Sequence, residues 1–132
     1  MKVITFGTFD LFHIGHLSIL KRASELGDSL VVGVSTDTLN MSKKNKKTIY
    51  SFEDRRQILE SIKYVTEVFP EESLEEKREY VIGHSADILV MGDDWEGKFD
   101  YLSDIVRVVY LPRTPSISTT ETVEKIISIN NK

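Results

Sequence analysis

Short apolar runs alternate along this chain with stretches whose apolar residues recur every three or four positions. Val3 to Phe6 is a largely apolar run stopped by Gly7. Leu17, Ile19, Leu20, Ala23 and Leu26 then fit one face of a helix, with Gly27 placed as its C-cap. Leu30-Val31-Val32-Gly33-Val34 has the near-continuous apolar character of a strand buried on both faces. A polar stretch follows from Ser35 to Tyr50. Ser51-Phe52-Glu53-Asp54 has the form of a capping box and opens a helix with Ile58, Leu59 and Ile62 inward. The pattern predicts a strand over Tyr64 to Phe69 ended by Pro70, and a charged helix from about Leu74 to Ile82. It predicts two more strands, Ile88 to Met91 and Ile105 to Leu111, stopped by Gly92 and Pro112. Ser118-Thr119-Thr120-Glu121 opens a last helix with Val123, Ile126 and Ile127 on its core face.

Five strands with helices between them predict an α/β fold. The expected form is a Rossmann-like, doubly wound, mostly parallel five-stranded sheet with helices on both faces, in one domain over 1–132. Ligands of such sheets bind beyond the carboxyl ends of the strands. Three polar segments leave predicted strands at that end: Gly7-Thr8-Phe9-Asp10 with the histidines after it, Gly92-Asp93-Asp94-Trp95, and Arg113 to Thr120.

Composition narrows the chemistry. With 132 residues the chain has the size of one ordinary domain. It has no cysteine, which excludes disulfides, thiolate metal sites and a cysteine nucleophile, and suits a cytoplasmic setting. No stretch approaches the roughly 18 apolar residues of a membrane span, and the first apolar run is too short for a signal peptide. The net charge of −4 gives no broad basic face for nucleic acid. An anion site must therefore come from a local group of cations.

His13-Ile14-Gly15-His16 is the first such group. Two histidines three residues apart at a helix start project to nearly the same side. Helix N-termini attract phosphate through unpaired N–H groups and the dipole. The same spacing also fits a metal site with Asp10 as third ligand, or a structural pair. Arg113 to Thr120 is the second group: Arg113 can fork onto phosphate oxygens, while Ser118 fits both an anion contact and an N-cap. Lys43-Lys44-Asn45-Lys46-Lys47 is either a solvated loop or a cationic arm over an anionic substrate. Arg55 sits at a helix start, where the dipole disfavours a cation. Asp93 and Asp94 fit a divalent metal, a base or sugar, or simply an acidic loop.

Gly7-Thr8-Phe9-Asp10-Leu11-Phe12-His13-Ile14-Gly15-His16, with Arg113-Thr114 and Ile117-Ser118-Thr119-Thr120, resembles the cytidylyltransferase family. The stretch Met91 to Asp100 is similar to the branch whose acceptor is glycerol 3-phosphate. The resemblance covers essentially the whole chain. It implies that CTP and sn-glycerol 3-phosphate give CDP-glycerol and pyrophosphate by direct in-line attack. It further implies a divalent cation, normally Mg2+, a homodimer, and a teichoic acid or other glycerol phosphate polymer pathway. Residue by residue, it gives nucleotide contacts to Thr8, Phe9, His13, His16, Lys46, Asp94, Arg113, Thr114, Ile117, Ser118, Thr119 and Thr120. It gives catalytic roles to His13, His16, Lys44, Lys46 and Arg113, and the acceptor to Lys44, Arg55 and Lys77. Asp10 would be linked to the metal or would support the residues around it.

The chain departs from the family pattern at Pro115 and Ser116, where the signature usually has a glycine in second place, at Ile14, often tryptophan, and at Lys63, often arginine. Three rival readings follow: a sister transferase with another nucleotide or phosphorylated alcohol, an inactive nucleotide-binding regulatory module, and an RNA-binding fragment of a synthetase-like fold. The chain's net charge disfavours the last.

Overall fold

A computed structural model describes residues 1–43, 47–112 and 127. In chain order the elements are β1 (Lys2–Gly7), α1 (Ile14–Ser24), β2 (Ser29–Ser35), α2 (Asp37–Lys43), α3 (Phe52–Glu60), β3 (Glu67–Glu71), α4 (Lys77–Gly83), β4 (Ile88–Gly92) and β5 (Arg107–Leu111). Two 3-10 turns, Asp93–Trp95 and Asp100–Leu102, link β4 to β5. The five strands form one all-parallel sheet in the order β3-β2-β1-β4-β5. Strand order therefore reverses between β1 and β4, the point where such sheets open a ligand crevice.

Period-two alternation divides the apolar strand residues between two cores. Val3, Val32, Val34, Ile88 and Val90 join Leu20 and Ala23 of α1 and Leu59 of α3. Ile4, Phe6, Val31, Leu89 and Met91 join Val81 of α4, Leu102 and Val106. Helices thus cover both faces, as the continuous apolar runs of parallel strands require. Each fully buried aliphatic side chain contributes roughly 1.5–3 kcal/mol.

The structure corrects several expected boundaries. The stretch from Ser35 to Tyr50 contains α2, whose Leu39 and Asn40 are buried. The third strand runs from Glu67 to Glu71 and passes through Pro70, which pairs with Val34. An edge strand tolerates a residue with no N–H to give. Gly27 is not the cap of α1, which ends on Glu25 in a right-handed conformation. Its reason is space: a Cβ there would lie 2.4 Å from the Met1 carbonyl oxygen. The charged helix begins later, at Lys77, and β5 begins at Arg107. Ile127, expected on a core face, is 54% exposed.

Candidate active site

The crevice at the β1–β4 boundary is built on a tight turn. Phe9 and Leu11, neither of them glycine, hold positive φ values of 54° and 49° between β1 and α1. Such residues cost of order 1–2 kcal/mol each, so the surroundings must hold them there. Phe9 folds its ring back into the core, where it is 7% exposed. Gly7 makes room, since a Cβ there would lie 2.8 Å from that ring. The Phe9 nucleotide contact that the resemblance implies would accordingly fall to its backbone.

The two histidines cap α1 reciprocally. His13 is the N-cap in extended conformation, and its Nδ1 accepts the Gly15 N–H at 3.0 Å. The Nδ1 of His16 accepts the His13 N–H at 3.2 Å. Their rings stack with centroids 3.8 Å apart, and Phe9 meets the His16 ring edge-on at 5.4 Å. Accepting through Nδ1 leaves the proton of each neutral ring on Nε2, so Nε2 is the donor for a ligand. The pair thus has a structural role in capping α1, and that role leaves the Nε2 side of each ring outside the cap.

Burial, and after it the adjacent His13, push the His16 imidazole down from 6.5 to about 4, against a smaller pull from Asp10. At neutral pH His16 is an uncharged N–H donor. The unfolded chain takes up this proton near 6.5 and the folded chain only near 4. Between those values the unfolded state binds more protons. Stability is therefore lost as pH falls from about 6.5 to about 4, by up to ~3 kcal/mol, and this loss is complete below pH ~4. Urea midpoints from pH 7 to pH 4 should fall less steeply for His16→Gln than for wild type. Parallel curves would remove the assignment.

Asp10 is a clamp. Its Oδ2 accepts the Ile49 N–H at 2.7 Å, and its Oδ1 accepts those of Tyr50 at 2.9 Å and Leu11 at 3.1 Å. Both oxygens are thus committed to backbone, and the third-ligand role fails on that geometry. Among the described residues no group of three His, Cys, Asp or Glu is placed to hold a metal ion.

Arg55 is corrected too. The acceptor role implied for it requires an available guanidinium, but the side chain is wholly buried. Nε donates to the Tyr50 carbonyl at 3.1 Å, and Nη1 to those of Thr8 at 2.9 Å and Ser35 at 2.7 Å. Nη2 donates to Asp37 Oδ1 at 2.8 Å. Four of its five N–H bonds are therefore used within the chain. Asp37 also accepts the Phe52 N–H at 3.0 Å, and the Thr8 hydroxyl receives that of Ser35 at 3.1 Å. With Asp10, these bonds fasten residues 48–52 to the ends of β1 and β2.

Beside Gly7 and Thr8 opens a pocket of about 300 Å³, also lined by Phe6, Glu71, Lys77, Trp95 and Phe99. Lys77 is 4% exposed, and its Nζ donates to Glu71 Oε2 at 2.5 Å. Asp94 is exposed just beyond β4, where its carboxylate occupies the space a Cβ on Gly92 would need. Thr8, Phe9, His13, His16, Lys77 and Asp94 thus gather at one end of the sheet. Lys44, Lys46, Arg113, Thr114, Ile117, Ser118, Thr119 and Thr120 lie outside the described residues. Pro112, just before Arg113, is tied to α1 by Arg22 Nη2, which donates to its carbonyl at 2.6 Å. Lys63 stands apart, over the Tyr64 ring at 5.2 Å. Sequence reasoning missed Glu71, Asp37 and Ser35. Ser35 and Glu71 are buried at strand ends and Asp37 is half-exposed in a polar stretch, so no apolar pattern marked any of them.

Residues 4–125 match the model of the family described as cytidylyltransferase-like. The chain belongs to that family. Among its curated relatives is glycerol-3-phosphate cytidylyltransferase of Bacillus subtilis (strain 168), 56% identical over 97% of this chain and 98% of that one. The protein of the same name from Staphylococcus aureus (strain NCTC 8325 / PS 47) is 48% identical over 95% of this chain and 94% of that one. Among solved structures, the lipopolysaccharide core biosynthesis protein from Thermoplasma volcanium GSS1 aligns with a TM-score of 0.72 at 26% identity, over 86% of this chain and 98% of that one. As a cytidylyltransferase-like chain it is read as an enzyme of nucleotidyl transfer. No helix among the described residues is long and apolar enough to cross a membrane.

Proposed function

We propose that this chain transfers the cytidylyl group of CTP to sn-glycerol 3-phosphate, releasing pyrophosphate and CDP-glycerol. The observation that carries the reading is one juxtaposition. A histidine-capped helix start at the strand-order switch lies beside a pocket, walled by Gly7 and Thr8, that holds the buried Lys77. The identity of about one half to the two named relatives supports the choice of nucleotide and acceptor.

The reaction needs no nucleophile from the protein. A phosphate oxygen of the acceptor, ionised at neutral pH, forms a bond to the α-phosphorus as the bond from that phosphorus to the departing pyrophosphate breaks. Positioning and charge stabilisation supply the rate. The Nε2 donors of His13 and His16 stabilise the charge that grows on the α-phosphoryl oxygens and the leaving group. Lys77 holds the acceptor in its pocket. Asp94 reads the cytidine, and the Thr8 and Phe9 backbone borders it. Lys44 and Lys46 draw the two anions together, while Arg113, Thr114 and Ile117 to Thr120 bind the triphosphate end. A divalent cation such as magnesium, bound with CTP, would neutralise part of the triphosphate charge. We further propose a homodimer working in the cytoplasm.

The test is pyrophosphate release with each nucleoside triphosphate against a panel of phosphorylated alcohols. CTP with glycerol 3-phosphate is expected to give the highest kcat/KM. Release with a different pair and none with this one would replace the proposal by a sister transferase. No release with any pair would favour a nucleotide-binding module.

A further inference from the structure

Lys77 is a buried cation seated in a box. Its side chain and that of Glu71 are 6% and 2% exposed. Its Nζ lies 4.2 Å from the centroid of Phe6 and 5.3 Å from that of Phe99. Trp95 completes the wall and packs on Phe99 with centroids 5.7 Å apart. A carboxylate and several ring faces around one point are the groups with which proteins bind alkylammonium ligands. Here the chain fills that seat with its own ammonium.

We infer that the Lys77–Glu71 pair is a charge filter on the acceptor, admitting neutral polyol phosphates and rejecting alcohol phosphates that carry an ammonium group. The inference rests on reading this pocket as the acceptor site. Glu71 and the rings already have their cation, so a second one within about 4–5 Å gains little attraction and meets Lys77. At effective protein dielectric that repulsion corresponds to roughly a hundredfold or more in affinity. A polyol escapes it. Glu71 takes one of the three N–H bonds of the ammonium, and an ammonium has no acceptor of its own to satisfy. The other N–H bonds suit phosphate or hydroxyl oxygens, and a carboxylate oxygen of Glu71 can accept a hydroxyl proton. Glu71 thereby acts as a positioning residue, fixing the Lys77 ammonium against the rings.

Wild type is expected to use ethanolamine phosphate at least about a hundredfold less efficiently than glycerol 3-phosphate with CTP. Lys77→Met removes the resident cation and leaves the carboxylate and rings. It should raise the ratio of kcat/KM for ethanolamine phosphate over glycerol 3-phosphate at least about tenfold. Lys77→Met/Glu71→Gln, with no carboxylate to attract an ammonium, should lose most of that gain. Trp95 is the chain's one tryptophan, so its fluorescence reads occupancy without turnover. Tetramethylammonium should perturb it saturably in Lys77→Met and not in wild type.

The filter is overturned if Lys77→Met, shown folded by a cooperative melt, changes neither the ratio nor the fluorescence response. One arm needs no variant. Propanediol phosphate should compete with glycerol 3-phosphate in wild type at least about tenfold better than ethanolamine phosphate, and equal competition also overturns the filter. If wild type turns over neither acceptor, the transferase reading falls and the fluorescence comparison alone decides the filter.

Discussion

His16→Ala is expected to lower turnover at least about a hundredfold, the scale for losing one preorganised donor to developing charge. The residue has two separable duties. Its Nδ1 caps the helix by accepting the His13 N–H, and under the proposed function the Nε2 proton, in the neutral tautomer that this bond selects, would be the donor to the reacting phosphate. Asparagine can supply an acceptor near the Nδ1 position, and glutamine can place a donor near the Nε2 position. His16→Asn should therefore retain more stability than His16→Ala, and His16→Gln more turnover than His16→Asn. Stopped-flow or steady-state kcat with unfolding midpoints for all three variants separates the duties. Equal kcat in wild type and His16→Ala would end the catalytic assignment.

Arg55→Ala should destabilise the fold by roughly 3–5 kcal/mol, because it empties a wholly buried site and removes at once the donor to the carbonyls of Thr8, Ser35 and Tyr50 and the ion pair with the half-exposed Asp37, which keeps the Phe52 N–H. A drop in Tm of roughly 10–15 °C follows for a domain of this size. Lysine offers a compact charge in place of a planar fork and should recover only part of the loss. At temperatures where the variant is still folded, KM values should rise together with the fall in kcat, since the Thr8 turn and the entry to α3 lose a shared anchor. A loss below about 1 kcal/mol would show that the network is not the tie described.

The sheet was legible because parallel strands buried on both faces need unbroken apolar runs, and four of the five stood out as such. β3 was misplaced for a local reason. Tyr64, Val65, Val68 and Phe69 make an apolar cluster, and proline ordinarily closes a strand. Only the edge position, a fact of the whole sheet, lets Pro70 continue it. α2 was hidden because its polar residues show no sustained apolar period. Its tie to the rest of the chain, Asp37 to Arg55, spans 18 positions. The histidine motif was placed at a helix start, where the structure has it, but the reciprocal cap emerged only from the geometry. Arg55 drew suspicion as a ligand-binding cation at a helix start, and the structure corrects that reading. The reason lay inside the protein, in three carbonyls and a carboxylate, rather than in a ligand.

The edge strand carries a further consequence. A strand with an unpaired side normally offers a row of donors and acceptors to any extended segment that drifts past, and sheets rich in valine and isoleucine are prone to stack into aggregates by that route. Pro70 takes one donor out of the middle of β3, and Glu67 places a charge at its start, more than half exposed. The sheet is thereby closed to extension from that side. The opposite edge, β5, has no proline among Arg107–Leu111, so pairing of copies by sheet extension is disfavoured at β3 and not at β5.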